Sequence, residues 1–190
     1  MTNLRLFIAV EVEDKAVVGH LTTLQDQLRF RGVKPTRPDQ LHFTLHFLGD
    51  TSPDLLPPLK EIMDRLTVSS FELSLSRVGA FPNTRKPRVV WVGVDKGVAE
   101  VQELHSCLKE GLEELGLQTD SRPYHPHLTL ARVKFVEGQG QQRLAEFFRD
   151  HTSYNAGTSM VRQVVLKKST LTPKGPVYED MHVTGLTHGT

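Results

Sequence analysis

The tetrapeptide His-apolar-Thr-Leu occurs twice in this chain, at residues 42–45 and at residues 127–130. The copies are offset by 85 residues in a chain of 190. Each copy lies in an alternating apolar run, a pattern typical of a half-buried β-strand. Successive side chains of a strand point to opposite faces, so the His and the Thr of each copy share one face. The duplication therefore predicts two related strands, each of which presents an imidazole and a hydroxyl.

His42 and His127 are the candidate acid–base pair. A free imidazole has a pKa of about 6.5, so near neutral pH one ring can be neutral while the other is protonated. The hydroxyls of Thr44 and Thr129 can donate hydrogen bonds to phosphoryl oxygens. Such a set supplies a general acid, a general base and two oxyanion donors around one small anion. The alternative is that all four are ordinary strand residues whose side chains satisfy backbone groups.

Two further histidines lie near the motifs. Regular alternation places His46 on the face of His42, and His125 on the face of His127. His-x-His spacing can bind zinc, so a zinc-dependent hydrolase that uses these four histidines is one alternative. The sequence offers no carboxylate ligands nearby, and we expect no metal. His46 and His125 can instead add positive charge or orient their neighbours.

Other residues near the motifs are candidates for substrate contact. Arg37 and Arg132 flank the motifs, although regular alternation points Arg132 away from His127 unless the strand twists or ends there. The loop 81–88 carries three basic residues, which fits either a solvated surface loop or contact with a nucleic acid backbone. Aromatic side chains can stack on a base. The candidates of this kind are Phe47, Phe81, Trp91 and Tyr124.

Composition limits the class of protein. The net charge is +1, from 23 basic and 22 acidic residues, whereas a protein that coats nucleic acid by charge alone is more basic. One cysteine, Cys107, excludes an internal disulfide and a cysteine-based zinc cluster. We expect a cytoplasmic protein, because we find no signal peptide and no apolar run of about 20 residues. The sequence contains no Walker-type phosphate loop and no Rossmann fingerprint, so we expect no cofactor.

Strand and helix patterns are mixed without strict βαβ alternation, which favours antiparallel pairing. We predict an α+β fold with two pseudo-symmetric lobes of antiparallel sheet, outer helices and a central cleft, in a single bilobal domain over residues 1–190. The prolines in 32–38 predict a loop. The predicted strands are 4–12, 41–48, 71–78, 88–94, 125–133, 160–171 and 177–186. The predicted helices are 14–29, 52–66, 97–115 and 141–150. Asp14 is the expected cap of the first helix, and Gly116 is expected to end the third. The segment 172–176 predicts a hairpin turn between the last two strands.

With these motifs the sequence resembles the 2H phosphoesterase superfamily, which is defined by two His-x-Thr/Ser-x motifs. More narrowly, it resembles the bacterial and archaeal RNA 2′,3′-cyclic phosphodiesterases, also called 2′-5′ RNA ligases of the LigT/ThpR type. The resemblance rests on residues 5–10, 37–49, 90–94, 124–132, 169–171 and 175–178. One departure is His46, where relatives often carry Lys or Arg, and it makes the charge at that position dependent on pH.

The resemblance implies metal-independent hydrolysis of an RNA 2′,3′-cyclic phosphate to a 2′-phosphate, with reversible ATP-independent 2′-5′ ligation. By motif position, His127 is the expected base that activates water, and His42 the expected acid that protonates the departing 3′-oxygen. Thr44 and Thr129 are expected to hold the phosphoryl oxygens. The further candidates for substrate or phosphate binding are Phe47, Arg132 and His125. The expected partner is RNA with a 2′,3′-cyclic phosphate end or a 2′-5′ linkage. We expect the protein to be a monomer and not to bind a membrane. A non-catalytic module that binds RNA ends is a second alternative.

Overall fold

A computed structural model describes residues 2–187 of the chain. Its strands are β1 (Leu4–Glu11), β2 (Val33–Pro35), β3 (His42–Thr51), β4 (Phe71–Phe81), β5 (Val89–Lys96), β6 (His127–Val133), β7 (Asn155–Val161), β8 (Gln163–Thr172) and β9 (Gly175–Gly185). Its α-helices are α1 (Lys15–Asp26), α2 (Leu56–Asp64), α3 (Val98–Glu114) and α4 (Gln139–Asp150).

The strands form one antiparallel sheet in the order β7-β4-β5-β6-β3-β1-β8-β9, with β2 paired to β6. The two motif strands, β3 and β6, are neighbours at its centre. The first lobe contains β1, β3, β8 and β9, and the second contains β4 to β7. The first strand and the last two strands of the chain therefore complete the lobe of the first motif. The predicted α+β class with antiparallel sheet is confirmed.

The helices pack against the sheet through apolar stripes. Helix α3 contacts β3, α2 packs against α3 and β9, and α1 contacts β6 and β7. The stripe on α3 is fully buried, and each such side chain contributes about 1.5–3 kcal/mol to stability. It consists of Val101, Leu104, Leu108 and Leu112. Helix α1 begins where predicted, because the Asp14 carboxylate accepts hydrogen bonds from the amides of Ala16 (2.9 Å) and Val17 (3.0 Å).

Two predictions about the strands were wrong. The segment predicted as a loop at 32–38 contains β2, since Val33, Lys34 and Pro35 pair with β6 and the proline lies at the end of the short strand. The long strand predicted at 160–171 is interrupted at Arg162, where β7 ends before β8 begins. The hairpin predicted between the last two strands is confirmed, with Thr172 paired to Gly175.

None of the helices within residues 2–187 is long and apolar enough to cross a membrane.

Candidate active site

The two motifs lie side by side on neighbouring antiparallel strands of the sheet. Phe43 of β3 pairs with Leu128 of β6, and both side chains are fully buried on the core side. Antiparallel pairing at this point puts His42 across from Thr129, and Thr44 across from His127. All four of these side chains line one cavity of about 440 Å³. The shared face predicted from the alternation is present in both strands, and each imidazole faces the hydroxyl of the other motif.

A β-bulge changes the direction of the chain just after the first motif. Ala9 of β1 pairs with Thr44, and the preceding residue, Ile8, pairs with His46, so Leu45 has no partner of its own. One extra residue reverses the alternation for His46 and Phe47, the two residues that follow it. The prediction that His46 shares the face of His42 was therefore wrong: His46 is only 6% exposed and lies on the other face. Phe47, 53% exposed, turns into the cavity instead.

The second motif carries a bulge at the same position. Trp91 of β5 pairs with Thr129, while Val90 pairs with Ala131, so Leu130 is the extra residue. The expectation that Arg132 points away from His127 was wrong for this reason, and Arg132 lines the cavity. In both copies the residue five positions after the histidine is brought onto the face of the motif.

Polar groups of neighbouring elements bond to both bulges. The Leu130 carbonyl accepts hydrogen bonds from the Thr36 amide and from the buried side chain of Gln25, each at 2.8 Å. The Thr44 carbonyl accepts one from the Tyr124 hydroxyl at 3.0 Å. Because backbone groups displaced from a ladder need other partners, these bonds stabilise the irregular segments.

The tautomer of His127 follows from its hydrogen bond to the His125 carbonyl. The distance from Nδ1 to this oxygen is 2.8 Å, and a carbonyl can only accept, so Nδ1 carries the proton. The neutral ring then keeps the lone pair on Nε2, as a general base requires. Burial lowers the pKa of His127 below 6.5, and the bond to His125 opposes this decrease. His125 thus bonds to His127 through its backbone, while its own side chain is exposed and does not line the cavity.

His42 packs among aromatic rings. Its ring centroid lies 5.1 Å from that of Phe7 and 5.6 Å from that of Tyr178. Burial, together with the positive charge of Lys167, lowers the pKa of His42 to about 4, and a hydrogen bond to the backbone of Gln40 opposes this. Each motif histidine thus bonds to the backbone of the residue two positions before it.

Lys167 is held behind His42 by two carboxylates. Its Nζ lies 2.7 Å from an oxygen of Glu11 and 2.5 Å from one of Asp180. Burial acts to lower the pKa of this ammonium, but the bonds to Asp180 and Glu11 outweigh burial and raise it. Lys167 therefore remains a fixed positive charge close to the first motif.

His46 belongs to a stack of three rings on the helical side of the sheet. Its ring lies parallel to that of His105 with centroids 4.2 Å apart, and His105 stacks on Tyr124 at the same distance. The Nε2 atom of His46 donates to the His105 carbonyl at 2.8 Å. Burial, and then the charge of His46, lower the pKa of His105 to about 4.

The four histidines near the motifs therefore do not assemble around one point. His46 faces the helices, and the ring of His125 lies outside the cavity. Among residues 2–187, no group of three or more His, Cys, Asp or Glu side chains is placed to hold a metal ion.

The cavity is strongly basic although the chain is nearly neutral. No acidic residue lines it within the described part of the chain. The guanidinium of Arg5 lies over the ring of Phe47, 4.7 Å from its centroid. Arg37, by contrast, is neutralised by Asp39 at 2.5 Å. The basic residues in the lining are Arg5, Lys34, Arg37, Arg132 and Lys174.

Sequence reasoning missed several lining residues. Lys34 lies on the strand that was predicted to be a loop, and Lys174 lies in a hairpin turn whose approach to the cavity depends on tertiary structure. Arg5 and Tyr178 fall within the stretches on which the family resemblance rested. That resemblance was the only indication in the sequence that they lie at the site. Of the proposed stacking aromatics, Phe47 lines the cavity, and Phe81 packs edge-on against His127 with ring centroids 4.8 Å apart.

Comparison with known proteins places this arrangement in a family. A family model described as LigT like Phosphoesterase matches twice, at residues 11–91 and 92–178, with one motif in each match. The chain is 38% identical to an RNA 2′,3′-cyclic phosphodiesterase of Archaeoglobus fulgidus, over 95% of this chain and 99% of the relative. It is 37% identical to the protein of that name from Methanothermobacter thermautotrophicus, over 94% and 97%.

Solved structures share the fold. A Thermus thermophilus crystal structure superposes with a TM-score of 0.82 at 32% identity, over 98% of this chain and 100% of that one. The crystal structure of E. coli LigT complexed with 3′-AMP gives a TM-score of 0.79 at 23% identity, over 98% and 99%. This second likeness bears on the fold alone.

Proposed function

This chain belongs to the LigT-like phosphoesterase family, whose members are enzymes, and we propose that it hydrolyses the 2′,3′-cyclic phosphate at the end of an RNA to a 2′-phosphate. The curated relatives that match over nearly their whole length carry the name of this activity. The observation that carries the proposal is the antiparallel meeting of the two motifs, which puts two imidazoles and two hydroxyls on one face of a basic cavity.

The proposed reaction uses one histidine on each side of the phosphorus. Nε2 of His127 removes a proton from water as the water oxygen bonds to phosphorus. The bond from phosphorus to the 3′-oxygen breaks in line, and His42 gives its proton to that oxygen. Thr44 and Thr129 donate hydrogen bonds to the non-bridging oxygens, which carry the developing charge. The assignment of the 3′-oxygen to His42, and thus the 2′-phosphate product, rests on the family resemblance.

The proposed chemistry needs no metal, because Arg132, Lys34 and the two hydroxyls supply the charge and the donors that a phosphoryl group requires. In reverse, an RNA 5′-hydroxyl takes the place of water and forms a 2′-5′ linkage without ATP, since the cyclic ester already holds the energy of the bond. One copy of the chain contributes both motifs to one cavity, so we propose that a monomer is sufficient.

The test is incubation of the protein with 2′,3′-cyclic mononucleotides and with a cyclic-ended RNA in the presence of EDTA. We expect turnover of both, and chromatography against 2′- and 3′-nucleotide standards should identify the 2′-phosphate. Dominant 3′-phosphate would reverse the assigned orientation of the substrate. Loss of activity in EDTA that zinc restores would favour a zinc hydrolase, and binding of RNA without turnover would favour a non-catalytic module.

A further inference from the structure

Basic side chains continue beyond the cavity at one end of β6. Arg132 pairs with Lys34 across the β2–β6 ladder, and the ladder extends to Lys134, whose amide bonds to the Gly32 carbonyl at 2.8 Å. Lys134 is two residues further along the chain, so its backbone lies about 7 Å beyond that of Arg132. The guanidinium of Arg88 donates to the Lys134 carbonyl at 3.3 Å. Arg88 and Lys134 are exposed, and neither contacts a carboxylate of residues 2–187.

The loop before Arg88 brings two more cations to the same end. It leaves β4 at Phe81, whose ring touches the imidazole of His127. Within the loop the Asn83 side chain accepts hydrogen bonds from the amides of Arg85 and Lys86, both at 3.0 Å, in a side-chain-stabilised turn. Both residues are exposed and, in the described part of the chain, lack an acidic partner. The loop thus begins beside His127 of the second motif and ends at Arg88. We call Arg85, Lys86, Arg88 and Lys134 the basic ridge.

An exposed aromatic residue follows the basic ridge in the sequence. Phe135 directly follows Lys134 and is 68% exposed. A row of cations beside a solvent-exposed ring is the combination that proteins use for single-stranded nucleic acid, because phosphates pair with the cations while a base stacks on the ring. An acidic peptide would also pair with the cations, but its binding would not account for an exposed aromatic ring at this position.

We propose that the basic ridge and Phe135 bind the RNA strand upstream of its cyclic end. This inference rests on the proposed function of the cavity. A cavity of about 440 Å³ holds roughly one nucleotide. The phosphodiesters that precede the reacting nucleotide must then lie outside it, and among residues 2–187 cations without an ion pair continue from Arg132 onto the surface next to it. The protein would in consequence prefer a strand over a mononucleotide.

Two variants separate charge from stacking. The double variant Arg88→Ala/Lys134→Ala should lower kcat/KM on a cyclic-ended single-stranded RNA about tenfold at low salt, and should reduce the slope of log affinity against log salt by about 1.4. Phe135→Ala should weaken binding of the same RNA without changing the slope, because stacking releases no counterions. Neither should alter turnover of a 2′,3′-cyclic mononucleotide, which reports that the fold and the cavity are intact.

Lys15→Ala is the matched control, since Lys15 is exposed at the start of α1, outside the cavity lining, and has no ion pair among the described residues. Binding of a labelled RNA with a 3′-hydroxyl end, measured by fluorescence anisotropy, gives an affinity that does not depend on turnover. If the wild type turns over neither substrate, the proposed function fails. Anisotropy measurements on the same variants still test whether the basic ridge binds RNA. The proposal would be overturned if the ridge variants lost kcat/KM equally on RNA and on the mononucleotide, or if their anisotropy with RNA were unchanged. An equally large effect of Lys15→Ala would also overturn it. Arg85→Ala/Lys86→Ala repeats the charge test in the loop.

Discussion

Replacing Tyr124 with Phe removes one hydrogen bond between the first motif and the segment that leads into the second. The Tyr124 hydroxyl donates to the Thr44 carbonyl at 3.0 Å, while its ring stacks on His105. Phe keeps the ring and the stack, so no cavity forms. The loss of one partly buried bond, with its acceptor left short of a donor, costs about 1–2 kcal/mol. For a chain of this size that cost corresponds to a decrease in Tm of about 2–8 °C.

The effect on turnover should exceed what this loss of stability explains. Tyr124 lies in the segment that leads into the second motif, whereas Thr44 lies in the first motif beside the bulge at Leu45. Their bond therefore adds to the β3–β6 pairing a second constraint on the position of one motif relative to the other. Because catalysis by positioned groups is sensitive to displacements on the order of 1 Å, we expect kcat on a cyclic mononucleotide to fall about tenfold in Tyr124→Phe.

Tyr154→Phe is a matched control, since the Tyr154 hydroxyl donates to the His20 carbonyl at 3.1 Å, away from both motifs. Thermal melts and steady-state kinetics on both variants separate the two effects. We expect both to lose stability and only Tyr124→Phe to lose kcat. If both variants retain the same kcat at a temperature where both are folded, the hydrogen bond does not align the motifs, and the reasoning is wrong.

The remaining predictions concern the motif residues. His42→Ala and His127→Ala should each lower kcat about 10²- to 10⁴-fold with unchanged circular dichroism, and near-normal activity in either would exclude the two-histidine mechanism. Thr44→Ala/Thr129→Ala should lower kcat/KM less than either histidine change, by at most about 10²-fold, and unchanged activity would make the hydroxyls structural. With the pKa of His42 at about 4 and that of His127 lowered, both rings are neutral at pH 7 in the free enzyme, whereas the proposed reaction needs His42 protonated. The pH profile of kcat/KM on a mononucleotide should therefore be bell-shaped with its maximum below pH 6.5, and a steady rise into alkaline pH would contradict this.

The sequence predicted those features that depend on local pattern. A strict alternation placed the His and Thr of each motif on one face, because the side-chain period of a strand is two. Asp14 before an amphipathic run predicted the start of α1, and Gly116 predicted the end of α3, where its φ of +73° suits glycine. The duplication predicted two related halves, and the central pairing of β3 with β6 fulfils it.

The features that were mispredicted depend on contacts between distant segments. Whether Val33–Pro35 is a strand is decided by the edge that β6 offers to it, and the residues themselves favour a loop. A bulge has no residue signature here, since Leu45 and Leu130 are ordinary strand residues. The bonds to Gln25 and Tyr124 at the bulges come from residues 105 and 80 positions away in the chain. Alternation counted past the bulge therefore gave the wrong face for His46 and for Arg132.

The bulges also make the two copies of the motif unlike, as binding of a substrate without two-fold symmetry would require. Both copies reverse their alternation at the same position, so the fifth residue after each histidine enters the cavity. In one copy that residue is Phe47 and in the other it is Arg132. The backbone and the His and Thr side chains are duplicated, but an apolar ring, suited to a base, faces one side and a guanidinium, suited to a phosphate, faces the other. The side that bears Arg132 also adjoins the basic ridge. We therefore propose that the symmetric pair of imidazoles acts as acid and base in a fixed order, because the unlike side chains at these two positions would orient the substrate between them.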